Sequence, residues 1–509
     1  MSYLYVGVGG SGAKLMHALV HLTAAGLLPS GDRELMGLLV DSDEANGNVD
    51  ACMQAVGQYE RCHKLNLGTK SPLFKNRLVV HGPWTPVEDV NTASLSSIFD
   101  YVRMQRTSPD DADLMDLLFS KDEREVTIFE GFRGRPAIGS AIFGKTVNLE
   151  GPMWKDLYTR ALNARNQDDV SLLLAGSVFG GSGAAGVPTI CQVLKQELGD
   201  NINKFRMGLV LLLPYFTYDE VEDEPMQADP QAFATATAEA LKYYDEGKFL
   251  ELCETIYAVG DRHPAKMPIP AVGKKDQRNP PHFVELVAGL GAIRFMSGKA
   301  SKQKVVSLAG RRKDNTVTWA DLPTLEGMHS THMALLQQFT LFAVAYHYVL
   351  YPEIAENLHK PHAMVDQVGD EPRAKVGAEL SDLDSYLTSY LEWLLSVSTP
   401  DRVGGDHFDS GLVNVNVFAV KEKVERSVGD RIVSYDAWRL KKVQQSRGWL
   451  GGSGEFKEKQ IPDLFRNLDQ RRKPNLRAIF HSATAEVSEP DASGAGKLVR
   501  AIYEACTLD

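Results

Sequence analysis

Two glycine-rich turns lie far apart in the chain, and each follows an apolar run of strand character. The first reads Tyr3-Leu4-Tyr5-Val6-Gly7-Val8-Gly9-Gly10-Ser11-Gly12-Ala13-Lys14. The second reads Leu172-Leu173-Leu174-Ala175-Gly176-Ser177-Val178-Phe179-Gly180-Gly181-Ser182-Gly183-Ala184-Ala185-Gly186. Glycine has no Cβ, so backbone N–H groups can crowd around an anion. A helix N-terminus just beyond adds its dipole and its unpaired donors. Two such turns, both between a strand and a helix, point to a nucleotide whose phosphates are held from two sides.

The first half of the chain alternates strand-like and helix-like segments. Strands are expected at Tyr3–Val8, Leu35–Val40, Leu78–Val80, Val126–Phe129, Leu172–Ala175, Leu209–Pro214 and Thr255–Val259. Helices are expected between them, at Gly12–Ala25, Ile138–Phe143, Trp154–Asn166, Ala185–Leu198 and Pro230–Glu246. Continuous apolar strands of this kind are buried on both faces. The alternation predicts an α/β fold: a mostly parallel, Rossmann-like sheet with helices on both faces. Ligands in such sheets bind at the carboxyl ends of the strands, where both glycine turns fall. After the loop-like stretch Ala265–Pro281 comes a buried helix at His282–Phe295. Strands at Lys304–Leu308, Thr316–Trp319, Leu412–Val420 and Leu476–His481 are then mixed with helices at Met328–Ile354, Ala374–Val397 and Gly494–Cys506. This pattern divides the chain into a nucleotide-binding domain, residues 1–300, and a smaller α+β domain, residues 301–509.

With 509 residues the chain is long enough for two or three packed domains. Its formal net charge is −11 with no long block of one sign, so the basic footprint of a nucleic-acid binder is absent at the level of the whole chain. The five cysteines show no CxxC pair and no metal-ligand spacing, and they read as reduced thiols of a cytoplasmic protein. Met1-Ser2 runs straight into the first strand, without the basic and apolar regions of a signal peptide. The most membrane-like stretch, His332–Tyr351, contains Gln337, Gln338 and His347 and reads as a buried helix, not a span. Gly451-Gly452-Ser453-Gly454 has no strand before it and reads as a linker.

Taken alone, the first turn has two readings besides a ligand-free tight turn. Gly7-x-Gly9-x-x-Gly12 matches the dinucleotide fingerprint, and Asp41, at the end of the next strand, is an acid able to hold a ribose hydroxyl. That reading is an NAD-dependent oxidoreductase, although the separation of Gly12 from Asp41 exceeds the usual spacing of about twenty residues. The other reading is a phosphate cradle for a different nucleotide, with Lys14 facing a phosphate or else solvated on the first helical turn.

The second turn separates these readings. Ala175-Gly176 followed by Gly180-Gly181-Ser182-Gly183-Ala184 resembles the signature loop of the tubulin/FtsZ family, an Ala-Gly and then a Gly-Gly-Gly-Thr-Gly-Thr-Gly type loop before a helix. Ser182 keeps a hydroxyl where the family has its first threonine, and Ala184 departs from the usual Ser or Thr. Other pieces follow in the family's order. Gly9, Gly10, Ser11 and Gly12 resemble the N-terminal phosphate loop. Asp41-Ser42-Asp43 is similar to the loop after the second strand. Gly131-Phe132-Arg133-Gly134-Arg135-Pro136-Ala137-Ile138-Gly139 keeps the spacing of the loop that senses the terminal phosphate. Leu211-Leu212-Leu213-Pro214-Tyr215-Phe216 resembles the strand and loop after the signature helix, and the likeness covers roughly residues 1–325.

The resemblance implies a GTP-binding protein with Mg²⁺ bridging the phosphates. It also implies head-to-tail self-association into filaments and hydrolysis at the subunit interface. Gly180, Gly181, Ser182 and Gly183 would hold phosphates, as would Gly9 to Gly12 and Lys14, with Asp41 and Asp43 beside them. Arg133 and Arg135 stand where the family has small or amide residues. They would neutralise a terminal phosphate bidentately, or else pair with nearby carboxylates such as Glu130. His282, Phe283 and Glu285 open the helix that should face the base, either as a stacking ring and a carboxylate for guanine or as ordinary first-turn residues. Thr316-Val317-Thr318-Trp319-Ala320-Asp321-Leu322 is similar to the acidic loop that one subunit inserts into the next. Asp321 is then the carboxylate that positions water in trans, or else a capping aspartate before Pro323. Thr318 replaces the loop's first aspartate, which leaves room for a non-polymerising nucleotide-dependent switch or scaffold with an unidentified protein partner.

Overall fold

The computed structural model describes residues 2–29, 33–86, 94–128, 131–132, 134–166, 169–217, 232–261, 264–266, 279–298, 305–308, 317–324, 327–399, 411–428, 431–443, 456–465, 474–483 and 491–508. In chain order the elements begin β1 (Ser2–Val8), α1 (Gly9–Ala24), β2 (Glu34–Val40), α2 (Gly47–His63) and β3 (Arg77–Trp84). A helical insert follows: α3 (Leu95–Ile98), α4 (Tyr101–Thr107), α5 (Pro109–Leu118) and α6 (Lys121–Glu125). Then come α7 (Pro136–Thr146), α8 (Lys155–Leu162), β4 (Val170–Ser177), α9 (Gly181–Leu198), β5 (Arg206–Leu212), β6 (Phe216–Thr217) and α10 (Phe233–Glu246). They are followed by β7 (Thr255–Val259), β8 (Ala265–Lys266), α11 (Phe283–Met296), β9 (Val305–Leu308), α12 (His329–Ala345), α13 (Tyr351–Asn357) and α14 (Arg373–Ser398). The last elements are β10 (Ala419–Val428), β11 (Arg431–Leu440), α15 (Leu476–Ala483) and α16 (Gly494–Ala505).

Seven strands form one sheet in the order β3-β2-β1-β4-β5-β7-β9, and every adjacent pair in it is parallel. This is the Rossmann-like α/β sheet that the sequence predicts. Its order reverses between β1 and β4, and crevices for ligands open at such a reversal. Side chains alternate across the sheet because successive Cβ atoms on a strand point to opposite faces. Tyr3 and Tyr5 enter one buried cluster with residues of α1, α2 and α11. Leu4, Val6 and Val8 enter the other with residues of α7, α8 and α9. The first cluster runs on into α12, α14 and α16, so elements from both sides of residue 300 share one apolar core.

Four strand expectations are corrected. Val126–Ile128 forms no strand. Thr318 caps a 3₁₀ turn at Trp319–Asp321 where a strand was expected. Leu412–Phe418 passes through a 3₁₀ turn before β10, with Leu412, Val413, Val415, Val417 and Phe418 all buried, more densely than a one-faced strand allows. Leu476–Ala483 is helical because Leu476, Ile479 and Ala483 share one buried face at helical spacing. The glycine-rich stretch 451–454 and Arg133 lie outside the described residues.

His329–Asn357 is long and apolar enough to cross a membrane, with 72% of its apolar window buried inside the protein. It is α12 and α13 joined by a π-turn at Tyr346–Leu350. Pro352 stands in the first turn of α13. Proline has no N–H to continue the ladder, which accounts for the local change of register.

His21 ties α1 to the C-terminal half. It is 0% exposed, its Nδ1 bonds the Tyr386 hydroxyl at 3.0 Å, and its ring lies 5.0 Å from Trp393. Burial, and then the His17 ring beside it, push its pKa well below the ordinary 6.5. A depressed histidine contributes stability that is present above its unfolded pKa and lost as pH falls. Between pH 7 and pH 5 the Tm of His21→Phe should therefore rise relative to that of the wild type in thermal denaturation, with some cost in stability at pH 8.

Candidate functional site: two facing helix N-termini

β1 and β4 are direct neighbours, with Val8 opposite Gly176. Both glycine turns therefore leave the same edge of the sheet side by side. α1 starts at Gly9 and α9 at Gly181, three and four residues earlier than the sequence suggests, so the glycines form the first helical turns themselves. Gly9 has φ +73°, and a Cβ built on it would lie 3.3 Å from Ser182 Cβ. The two turns are thus in contact. Neither helix has a side-chain cap or an acidic residue in its first turn. The first N–H groups of a helix have no partner within it, and here two sets converge with their dipoles. That arrangement suits an anion.

Close approach explains the inner glycines. A Cβ on Gly12 would lie 2.5 Å from the carbonyl carbon of Gly7 and 3.0 Å from Ala175 O. A Cβ on Gly183 would lie 2.4 Å from Ser177 O and 2.6 Å from Ser177 N. Each helix is seated directly on backbone, and the Tyr5 hydroxyl fastens α1 by donating to Gly12 O at 2.7 Å.

The end of β2 brings two buried carboxylates to the same place. Asp41 and Asp43 are 3% and 1% exposed. Asn46 Nδ2 donates to Asp41 Oδ2 at 3.0 Å, and the Ser182 hydroxyl donates to Asp41 Oδ1 at 3.5 Å, which links β2 to the second glycine turn. Burial pushes the Asp41 carboxyl up to about 7; the Asp43 charge adds to the rise, against hydrogen bonds from the Asp43 and Ser42 N–H groups and from Ser182. Asn46 and Asn48 also face Gly10, whose Cβ would meet Asn48 Nδ2 at 2.9 Å and Asn46 Nδ2 at 3.1 Å. Neither asparagine stands out in the sequence as a site residue. Asn46 caps α2 by accepting from Asn48 N, so the signal was an Asn-Gly-Asn helix start just beyond Asp41 and Asp43.

Lys14, His282 and Glu285 come together at the other end of the first turn of α1. The Lys14 ammonium lies 2.5 Å from Glu285 Oε1, with the two side chains 5% and 0% exposed. Glu285 also accepts from the Tyr215 hydroxyl at 3.0 Å and from His282 N at 3.0 Å. His282 caps α11 in turn, its Nδ1 accepting from Val284 N at 3.1 Å. Phe283 is buried in the core beneath. The Lys14 ammonium also lies 5.4 Å above the Tyr215 ring, so this cluster reaches the first turn of α1.

The turn before α7 abuts the second glycine turn. A Cβ on Gly181 would lie 2.9 Å from Phe132 Cβ and 3.1 Å from Gly134 N. Gly134 has φ +76°. Arg135 stands at the start of α7 with its guanidinium 3.6 Å from Glu123 of α6. Asp321 lies on another element, where it accepts from Thr318 N at 2.8 Å and from Thr318 Oγ1 at 2.7 Å. That turn is anchored in the C-terminal half by Trp319, whose indole donates to Leu412 O at 2.9 Å.

The glycines should separate on substitution. Gly183→Ala drives a methyl into the backbone of Ser177 and should cost about 3 kcal/mol in urea denaturation. Gly10→Ala meets only the terminal amides of Asn46 and Asn48, not backbone, so its cost should be smaller, about 1–2 kcal/mol.

No family model and no curated protein matches the chain. Among solved structures, it is similar to CetZ2 from Haloferax volcanii, described as a GTPγS-bound protofilament, at 14% identity and a TM-score of 0.27, over 58% of this chain and 59% of that one. CetZ from Methanosaeta thermophila is 13% identical over 51% of this chain and 46% of that one, with a TM-score of 0.22. TubZ from Bacillus thuringiensis serovar israelensis, a GTPγS-form protofilament, is 12% identical over 51% and 48%, with a TM-score of 0.21. The chain spans about half the length of the solved structures it matches.

Proposed function

We propose that this chain binds GTP with Mg²⁺ between the two glycine turns, associates head-to-tail and hydrolyses the nucleotide at the subunit interface. The observation that carries the reading is the convergence of two helix N-termini without side-chain caps, at Gly9 and Gly181, beside the buried carboxylates Asp41 and Asp43. A triphosphate supplies the anion that such donors accept. Among the described residues no cluster of three or more His, Cys, Asp or Glu could hold a metal by itself. Mg²⁺ is ordinarily held by one or two carboxylates together with substrate phosphates. Asp41, Asp43 and the Ser182 hydroxyl are oxygen donors of that kind, and they would hold the ion, which neutralises charge on the phosphates when bound. Gly134 and Arg135 would stand at the terminal phosphate, Arg135 exchanging Glu123 for it.

Glu285 is already occupied by Lys14, Tyr215 and His282, so guanine recognition through it would require that network to open. Asp321, in this reading, reaches the phosphate of a neighbouring subunit. Because its carboxylate also holds Thr318 in its own turn, hydrolysis is expected to be slow. The same feature favours the second reading, a nucleotide-dependent switch or scaffold that does not polymerise.

Mass spectrometry of nucleotide released from the denatured protein tests the site directly: a guanine nucleotide supports the reading, and NAD or NADP overturns it. Gly10→Ala should weaken GTP binding about tenfold or more in a folded protein, since its methyl fills the cradle between Asn46 and Asn48. Asp321→Ala should slow turnover roughly tenfold while sparing affinity. Negative-stain electron microscopy with GTP and Mg²⁺ should show filaments absent with GDP; dispersed particles in both would leave the switch.

A further inference from the structure

The insert between β3 and α7 carries an apolar surface that the nucleotide site does not use. Eight large apolar side chains are exposed among the described residues, and four of them lie on α4 and α5: Val102 at 61%, Leu114 at 52%, Leu117 at 83% and Leu118 at 62%. On α5 the three leucines fall within an arc of about 100°, given 3.6 residues per turn. Ala112, on the opposite side of the same helix, and Met115, on the flank beside Leu118, are buried. The helix therefore already has a core-facing side, and the leucine stripe is a second apolar face turned to solvent. A stripe of this width normally packs against another element, and its concentration in one place marks it as a surface for interaction, unlike scattered exposed leucines.

The charges around the stripe identify what fits. Asp110, Asp111 and Asp113 rim it, and α5 contains no basic residue. Asp116, on the other side, is taken up by Arg124 and by the Tyr101 hydroxyl at 2.6 Å, with the Arg124 guanidinium 4.4 Å above the Tyr101 ring. Asp110, Asp111 and Asp113 have no ion pair among the described residues. Arg103 and Arg106 of α4 offset part of this charge, and the two helices together stay acidic. A carboxylate rim around a leucine stripe complements an amphipathic helix with apolar residues at i, i+3, i+4 and i+7 and lysine or arginine along their edges.

We propose that α5 docks a basic amphipathic helix of a partner protein through Leu114, Leu117 and Leu118, with Asp110, Asp111 and Asp113 setting its charge. The proposal is independent of the nucleotide reading. Leu117 is the residue to change, because at 83% exposure its replacement removes almost no internal packing.

The probe is a fluorescein-labelled 18-residue helical peptide with leucine at those four spacings and lysine beside them, titrated against the full-length protein by fluorescence anisotropy. Its twin carries glutamate in place of lysine. The basic peptide should bind saturably and weaken several-fold between 50 and 300 mM salt, as screening of exposed charges requires at about these ionic strengths. Leu117→Glu and Asp113→Lys should each weaken it about tenfold or more, with unchanged Tm. Three results would overturn the proposal: equal binding of both peptides or of neither, binding of the basic peptide that ignores both substitutions, or sedimentation showing self-association that Leu117→Glu abolishes. The last would assign the face to a second copy of this chain.

Discussion

Parallel pairing of β1 with β4 is the constraint on which the rest depends. These strands are distant in sequence, and their register sets Val8 against Gly176. Because both end together, α1 and α9 start from the same rim, and Gly9 meets Ser182 across the crevice. A shift of one residue would turn Tyr3 and Tyr5 toward the cluster that now holds Leu4 and Val6, since side chains alternate along a strand. Register and site are therefore held by the same apolar packing.

Two buried ionic systems flank the start of α1, and they differ in kind. Lys14 and Glu285 are opposite charges at 2.5 Å, with Tyr215 and His282 supplying further hydrogen bonds to the carboxylate. Such a pair offsets its own desolvation only when its remaining groups are satisfied; the carboxylate has these further partners, whereas Glu285 is the ion-pair partner that the Lys14 ammonium meets. Asp41 and Asp43 are charges of one sign, and burial holds the Asp41 proton up to about 7. Like charges brought together in a buried place disfavour ionisation, and a cation beside them reverses that preference. The first system joins α1 to α11 as a structural link. The second places two buried oxygen-donor side chains beside the glycine turns.

Helix boundaries at the turns were hard to read because glycine is a poor helix former. Gly9, Gly10 and Gly181 are helical nonetheless, since Gly12 and Gly183 allow the helix to sit on backbone that any side chain would exclude. The apolar run at Leu476–His481 was equally ambiguous, because short apolar runs fit both a strand and a buried helix. Its partner, α16, settles the matter by covering a helical face. Asn46 and Asn48 went unnoticed because capping asparagines are common. What distinguishes them is that they face Gly10 across the turn, a neighbour thirty-odd residues away in the chain.

By itself the sequence determined the alternating α/β order, the parallel sheet and the two glycine turns, because apolar runs bounded by glycine leave the backbone few alternatives. It also marked most of the residues that now line the rim. Tertiary structure alone decided which of them meet. Lys14 looked toward a phosphate in the sequence, yet the fold brings it to Glu285, a residue 271 positions later, since a buried ammonium takes the nearest buried carboxylate. Arg135 finds Glu123, and Asp321 caps its own turn. Partnership between charged side chains depends on distances of a few ångström in a medium of low dielectric, and spacing along a chain does not carry that information.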